Sequence, residues 1–187
     1  SNPFEMIKVW EGGLASHGAA IGIPFSIYLL TKKQKDKTML WILDRVVIVV
    51  ALAAVLIRLG NLFNSEILGT ATEVPWAFIF ARVDDVPRHP AQLYEAIFYL
   101  ISFIILYFVY YKTERKYKQG YIFGLFLILI FGFRFFVEFL KVEQSPFEKG
   151  MVLDMGQLLS IPFVIGGLYF MYRKKEDLPK KKIKSKI

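Results

Sequence analysis

The sequence contains no cysteine and only two histidines. The lack of cysteine excludes disulfides, thiolate metal sites and a cysteine nucleophile of the protein's own. His17 and His89 are far apart in sequence and do not form a metal site without further ligands. Also absent are the Gly-x-Ser-x-Gly elbow, the His-Glu-x-x-His zinc helix, the P-loop and the dinucleotide-binding glycine pattern. We therefore expect no metal site and none of these familiar catalytic arrangements.

The basic residues do not line one face of the chain. The net charge is +8, but most Lys and Arg lie in three short blocks, KKQKDK, KTERKYK and RKKEDLPKKKIKSKI, between apolar segments. This distribution argues against a nucleic-acid partner. Residues 1–13, SNPFEMIKVWEGG, lack a basic start followed by an apolar core, so we expect no cleavable signal peptide.

Long apolar segments dominate the chain, in which 55% of the residues are hydrophobic and 17% aromatic. Both fractions are high for a soluble domain. Five segments approach the length of about 20 residues that a membrane-spanning helix needs. They are residues 13–31, 40–59, 92–111, 121–140 and 155–172. The sequence therefore predicts an all-α fold, a polytopic bundle of membrane helices.

The charges between these segments predict the topology. By the positive-inside rule the three basic blocks are cytoplasmic, so the N-terminus, the long connection 60–90 and the loop 141–154 face outward. Residues 1–172 then form one transmembrane domain, and residues 173–187 form a basic cytoplasmic tail. Because an outward N-terminus without an export signal is unusual, we expect an upstream region with spans of its own.

Some residues within the spans have a simple structural interpretation. Asp44 and Arg45 lie about one turn inside the cytoplasmic end of the second span, where an arginine can snorkel and a carboxylate can reach water. We expect them to anchor the helix end. Small residues, including Gly124, Gly166 and Gly167, are expected where helices touch.

Ionisable residues deeper in a membrane helix are costly and are therefore functional candidates. Arg134 lies thirteen residues after Tyr121, roughly 20 Å from the cytoplasmic surface at about 1.5 Å per residue. Glu138 follows one turn later, and a purely structural ion pair is the alternative reading. Other polar residues predicted at the same outer level are His17, Arg58, Asn61, Glu66, His89 and Gln157. The sequence thus predicts a polar, net cationic chamber at the depth of the outer lipid headgroups.

The residue types in this chamber favour phosphate chemistry. A guanidinium group donates two parallel hydrogen bonds to phosphate and stays charged, and the obvious phosphate at this depth is a phospholipid headgroup. Histidine, with an unperturbed pKa of about 6.5, can act as a base near neutral pH. The combination favours displacement of a phosphate-containing leaving group by a weakly acidic nucleophile. A transporter or lipid-binding protein without catalysis is the alternative, although the internal repeat typical of many transporters is not seen.

Five motifs carry a resemblance to a known family. SHGAAIGI, RLGNLFNSEILG, PRHPAQLYE, FRFFVEF and MGQLLSIP occur in this order between residues 10 and 172. Their order and spacing resemble those of the prolipoprotein diacylglyceryl transferases of bacterial inner membranes. The second and third motifs are the most specific.

This resemblance implies an activity and partners. Members of the family transfer the diacylglyceryl group of phosphatidylglycerol to the lipobox cysteine thiol of a preprolipoprotein, which forms a thioether and releases glycerol phosphate. This is the first step of lipoprotein maturation, and it needs no metal or cofactor. The chain would be a multi-pass protein among the lipids of the inner membrane, with its active site toward the outer leaflet. Because the thiol belongs to the substrate, the absence of cysteine here agrees with the implied reaction.

The resemblance also implies roles for individual residues. His17 and His89 are the candidate catalytic bases, Arg58 is the expected phosphatidylglycerol ligand, and Arg134 matches the second essential arginine. The other residues expected to bind substrate or line the site are Asn61, Glu66, Gly69, Gln92, Tyr94, Glu95, Glu138 and Gln157. We further expect Gly60 and Gly69 to let the backbone turn at the rim of the chamber.

Two departures from the family pattern stand out. Family members have seven spans, so by the resemblance this sequence would lack the first two, together with a functional tyrosine expected there. The family's tyrosine one turn before the second arginine is replaced by Ile130, and the hydroxyl of Tyr94 is a candidate to take over its role. An inactive fragment of the transferase is therefore a further alternative.

Overall fold

The structure is a computed structural model that describes residues 16–33, 37–142 and 153–173. It is mostly helical, as the hydropathy predicts. Its elements are α1 (Ser16–Lys33), α2 (Met39–Phe63), β1 (Phe78–Ile79), β2 (Pro87–Arg88), α3 (Ala91–Lys112), α4 (Tyr121–Val137) and α5 (Met155–Tyr172). Short 3-10 helices occupy Glu114–Tyr117 and Glu138–Leu140. The chain divides into two compact units, Ser1–Ile42, which contains α1, and Leu43–Ile187, which contains most of α2 and all later elements.

Four helices of the described residues are long and apolar enough to cross a membrane. They are Met39–Phe63, Ala91–Lys112, Tyr121–Leu140 and Met155–Tyr172. Their outer faces keep large apolar side chains exposed, for example Val49 at 68% and Ile57 at 61%. Such faces need a hydrocarbon environment, so the protein is a membrane protein.

These four helices coincide with four of the five predicted spans. The second predicted span, residues 40–59, differs from α2 at one end, because α2 continues to Phe63. The first predicted span, residues 13–31, overlaps α1, which is not among the four. A fifth span, and the seven implied by the resemblance, therefore stay predictions.

A hydrophobic core joins α2, α3 and α4 within the second unit. Its buried members are Val47, Ile48, Ala51 and Val55 of α2, Ala96, Tyr99 and Leu106 of α3, and Ile122, Phe126, Leu127 and Ile130 of α4. Within each helix they recur mostly at steps of three, four or seven residues, the spacing of one helical face. Phe98 and Phe133 stack with ring centroids 4.0 Å apart and planes inclined by 5°. This packing aligns α3 with α4 and so sets the position of the polar residues near their ends.

α4 and α5 touch backbone to backbone at two glycines. A Cβ atom added to Gly124 would lie 2.6 Å from the carbonyl oxygen of Gly167, and one added to Gly167 would lie 2.7 Å from that of Gly124. Only residues without a side chain permit such an approach. The predicted helix contact is confirmed for this pair. It is not found at Gly166, where an added Cβ would have no described atom within 4 Å.

Asp44 of α2 caps the start of α4. Its carboxylate accepts hydrogen bonds from the backbone N–H groups of Gly120 at 2.7 Å and Phe123 at 2.8 Å. Gly120 has φ 86° and makes no side-chain cap of its own, so Asp44 satisfies donors that the helix start leaves unpaired. Asp44 is 1% exposed. The expectation that this carboxylate reaches water is therefore wrong, because a second helix supplies its hydrogen-bond donors.

The connection between α2 and α3 is attached to the segment after α4. Gly69 and Lys141 form an antiparallel β-bridge, and the N–H of Val142 donates to the carbonyl of Leu68 at 3.0 Å. Further along, β1 and β2 pair antiparallel. The bonds of Leu68 and Gly69, together with the one from the N–H of Thr70 to the carbonyl of Leu140, hold this connection against the segment after α4, next to the candidate site.

The chain turns after α2 at Ser65 and Ile67, both with φ 57°. The expectation that Gly60 and Gly69 provide the turn is wrong. Gly60 lies within α2, because the helix continues past it. Gly69 instead permits a close approach, since a Cβ atom there would clash with the backbone carbonyl of His89.

We predict that Gly167→Ala destabilises the protein. The added methyl group would meet the backbone of α4, and overpacking of this kind costs about 1 to 3 kcal/mol. Gly166→Ala is the matched control, because no described atom lies within 4 Å of a methyl group at this neighbouring position. Thermal unfolding in detergent should show a lower melting temperature for Gly167→Ala alone. Equal melting of Gly167→Ala and the wild type would contradict the glycine contact.

Candidate active site

The polar residues predicted on α2, α4 and α5 lie at one end of the second unit. Arg58 is near the end of α2, Glu95 near the start of α3, Arg134 near the end of α4 and Gln157 in the first turn of α5. The guanidinium of Arg58 contacts the carboxylate of Glu95, and Nε2 of Gln157 donates to the carbonyl of Phe135. Four helix ends therefore meet around one polar cluster.

The signature after α2 folds into a local hydrogen-bonded unit. Arg58 and Asn61 are three residues apart on the same helical face, and Nη1 of Arg58 donates to Oδ1 of Asn61 at 3.3 Å. Nδ2 of Asn61 donates to Oε2 of Glu66 at 2.8 Å, and the backbone N–H of Glu66 donates to the carbonyl of Asn61 at 2.9 Å. Glu66 thus orients Asn61, which in turn orients the guanidinium of Arg58.

Glu95 is the buried centre of the site. Its exposed fraction is 0%. Nε of Arg58 lies 3.2 Å from Oε2 of Glu95, while Nζ of Lys141 and the hydroxyl of Tyr99 each donate to Oε1 at 3.1 Å. Burying an unpaired carboxylate costs several kcal/mol, so these partners are required for the fold as well as for the site.

Glu138 forms the second carboxylate of the site. Nζ of Lys141 donates to its Oε2 at 3.2 Å, whereas Nε of Arg134 lies 4.0 Å from the same oxygen. The predicted pairing of Arg134 with Glu138 is present, but the contact is long because α4 ends at Val137 and the chain continues as a 3-10 helix. Gly156 packs against the carboxylate, since a Cβ atom there would lie 2.6 Å from Cδ of Glu138.

These contacts form an ion-pair network in the order Arg58, Glu95, Lys141, Glu138 and Arg134. It contains three cations and two carboxylates, so it carries one net positive charge. The side chains of the two arginines are 13% and 35% exposed, more than the Lys141 side chain at 2%. The Tyr99 hydroxyl joins the network through Glu95, the carboxylate that contacts Arg58. The arrangement presents two arginines at one site and buries the groups that hold them.

His89 belongs to a neighbouring aromatic group. Its Nδ1 lies 3.2 Å from the hydroxyl of Tyr94, which also accepts a hydrogen bond from Nε1 of Trp76 at 2.8 Å. Because the Tyr94 oxygen already accepts from the indole, its own proton can donate to Nδ1 of a neutral His89. Gly69 links this group to the ion-pair network, since it packs against His89 and forms the β-bridge with Lys141.

Arg88 supports the chain around Gly69. Its guanidinium donates to the carbonyl of Gly69 at 3.4 Å, and its backbone forms a β-bridge with Ala71. It also donates to both carboxylate oxygens of Asp84, at 3.3 and 2.6 Å. These hydrogen bonds hold the pKa of Asp84 below its usual value. The pair therefore keeps its charges and orders the connection beside His89.

Two buried glutamines join elements of the site. Nε2 of Gln92 donates to the carbonyl of Glu66 at 2.6 Å, which ties the start of α3 to the signature after α2. Oε1 of Gln157 accepts from the N–H of Asp154 at 3.1 Å within a capping box, and its Nε2 donates to Phe135 at 3.2 Å. Both amides act as connectors between helix ends.

Sequence reasoning missed two members of the network. Lys141 was assigned only to the outward loop, although its position three residues after Glu138 could have indicated an ion pair. Tyr99 was one aromatic residue among many in an apolar segment. Its hydroxyl, rather than that of Tyr94, is bonded into the network. His17 lies in α1, and its side chain is outside the part of the chain that the structure describes.

Comparison with known sequences gives consistent matches. The sequence model of the family "Prolipoprotein diacylglyceryl transferase" matches residues 1–173. A protein of Tolumonas auensis is 44% identical over 171 residues, which cover 91% of this chain and 66% of the relative. One from Bacteroides fragilis is 52% identical over 168 residues, which cover 89% of this chain and 60% of the relative. Both relatives are named phosphatidylglycerol–prolipoprotein diacylglyceryl transferase.

The chain spans less than two thirds of the length of these relatives. Within that span, the family match covers nearly the whole chain, including every helix described above. This extent and the level of identity establish that the chain belongs to the prolipoprotein diacylglyceryl transferase family.

Proposed function

We propose that this protein transfers the diacylglyceryl group of phosphatidylglycerol to the lipobox cysteine thiol of a preprolipoprotein. The observation that carries the proposal is the pair of arginines, Arg58 and Arg134, that come from different membrane helices and share one network of buried carboxylates. A phosphodiester headgroup at the end of a helix bundle matches two such guanidinium groups in charge and hydrogen bonding. The names of the relatives support the same substrates.

The proposed reaction is a displacement at carbon. The thiol of the substrate loses its proton to a base, and its sulfur forms a bond to the terminal glycerol carbon of the diacylglyceryl group. The bond from that carbon to the phosphate oxygen breaks, and glycerol phosphate leaves with the bonding electrons. Arg58 and Arg134 stabilise the charge on this leaving group, because guanidinium groups remain protonated at any physiological pH.

The base is one of the two histidines. His89 is half-buried, and its Nδ1 is close to the Tyr94 hydroxyl, so a neutral ring would be held in one orientation. His17 is the second candidate, because it lies in the motif SHGAAIGI, whose histidine the family resemblance implies as a base. The choice between them remains part of the proposal.

The other residues act mainly by holding the arginines and the chain around them. Asn61 and Glu66 orient Arg58 through their hydrogen bonds. Glu138 pairs with Arg134, and Gln157 ties α5 to α4 beside it. Gly69 gives the close approach that seats the His89 segment against the end of α4. Tyr94 orients the ring of His89, which in this proposal faces the incoming thiol.

The proposed location is the bacterial inner membrane. The site would face the outer leaflet, where the basic blocks are absent, and residues 173–187 would lie in the cytoplasm. Residues 1–172 form a single transmembrane domain in this proposal, with the first predicted span as its fifth helix. Membrane lipids cover the exposed apolar faces, and no cofactor takes part.

The direct test measures transfer to a peptide. Protein in vesicles that contain phosphatidylglycerol is given a synthetic lipobox peptide, and the peptide mass should rise by one diacylglyceryl group on its cysteine. A peptide with serine at that position is the control. The chain is assayed alone and together with the part of the Bacteroides fragilis relative that lies outside the match. No mass gain in either form would reject the transferase, and lipid binding without transfer would support the non-catalytic alternative.

The roles of the two arginines predict the effect of conservative substitutions. Arg58→Lys and Arg134→Lys should each lower kcat/KM by about a hundredfold, because an ammonium group keeps the charge but cannot donate two parallel hydrogen bonds. Arg82→Lys is the matched control, since Arg82 is exposed and, among the described residues, its guanidinium donates to the backbone carbonyl of Phe63 and to no carboxylate. Peptide transfer rates at varied lipid concentration give the measurement. Full activity of both site variants would contradict the proposed phosphate contacts.

A further inference from the structure

Lys141 is a buried cation without an assigned role in the proposed reaction. Its side chain is 2% exposed. The backbone on both sides is fixed, because Lys141 forms the β-bridge with Gly69 and the next residue, Val142, donates to Leu68 at 3.0 Å. A lysine held in this way has lost most of its side-chain freedom and its hydration, which is unfavourable unless strong partners compensate.

Its partners are the two carboxylates that hold the arginines. Nζ of Lys141 donates to Oε1 of Glu95 at 3.1 Å and to Oε2 of Glu138 at 3.2 Å. Glu95 contacts Arg58 at 3.2 Å, and Glu138 contacts Arg134 at 4.0 Å. One ammonium group therefore bridges carboxylates from α3 and from the segment after α4, and each of these carboxylates also faces an arginine.

The charge balance of the network depends on this bridge. With Lys141 present, each carboxylate is shared between two cations, and the network keeps one net positive charge. Without it, two arginines would face two carboxylates, and their charges would cancel. The carboxylates would then compete with a phosphate group for the same guanidinium donors.

We propose that Lys141 is a positioning residue that keeps Arg58 and Arg134 available for the phosphate by occupying the carboxylates between them. The inference rests on the proposed function, because it assigns Lys141 to the binding of the phospholipid headgroup. Lys141 acts on the binding of the lipid and not on the proton transfer from the thiol. Loss of Lys141 therefore raises KM for phosphatidylglycerol and leaves KM for the lipobox peptide unchanged.

The experiment compares four variants with the wild-type protein in vesicles. Lys141→Met removes the charge and keeps the length of the side chain, and Lys141→Arg keeps the charge. Lys141→Met combined with Glu138→Gln restores one net positive charge to the network. Lys112→Met is the matched control, because Lys112 is an exposed lysine at the opposite end of α3.

Lys141→Met should raise KM for phosphatidylglycerol at least about tenfold, while Lys141→Arg and the double variant recover most of the loss. Lys112→Met should behave as the wild type. If Lys141 were purely structural, misfolding of Lys141→Met would lower the apparent kcat without a selective rise in KM for phosphatidylglycerol. The double variant would then be no better than Lys141→Met. That result, or a wild-type KM for Lys141→Met, would overturn the proposal. If Lys141→Met does not fold, the comparison of the double variant with Lys141→Arg decides, since charge sharing predicts similar KM values for the two.

A second readout separates this inference from the proposed reaction. The affinity of each variant for a short-chain phosphatidylglycerol in detergent is measured without peptide. A protein that transfers nothing but shows the tenfold loss of affinity in Lys141→Met would contradict the transferase and support the role of Lys141. Normal transfer with equal affinities in all variants would support the transferase and reject the role of Lys141.

Discussion

The buried carboxylate of Glu95 is the constraint on which the active end of the bundle depends. An unpaired charge in this position would cost several kcal/mol, so its neighbours must remain in place for the protein to fold. Those neighbours come from three separate segments: Arg58 from α2, Tyr99 from α3 itself and Lys141 from the chain after α4. The stability of one acidic group thus brings together the cations that the proposed chemistry needs.

The opposite end of the bundle explains why the two arginines reach the same level. Asp44 caps α4 through the N–H of Gly120. Arg58 lies fourteen residues after Asp44, and Arg134 lies fourteen residues after Gly120. Equal helical rises of about 21 Å, at about 1.5 Å per residue, therefore carry both side chains to one depth. A structural cap at one end sets the axial register of the two arginines at the other.

Local sequence patterns predicted four of the membrane helices well. Apolar runs bounded by charged blocks predict both ends of α3 and α5 to within one residue, because the hydrocarbon thickness limits helix length. The fourth run predicts the start of α4, but the α-helix ends at Val137, three residues early, where a 3-10 helix follows. The patterns failed where distant segments meet. Asp44 was expected to reach water and the bridge formed by Lys141 was missed, since both depend on partners far away in sequence, Gly120 and Glu95. Gly60 was expected to turn the chain, but α2 continues past it to Phe63.

The central claim is that the phosphate of phosphatidylglycerol binds between Arg58 and Arg134. An experimental structure of the protein with this lipid bound tests the claim most directly. The account predicts phosphate oxygens about 3 Å from guanidinium nitrogens of both arginines, with Lys141 still bridging Glu95 and Glu138. A headgroup bound elsewhere, for example at the basic blocks at the other end of the helices, would contradict it.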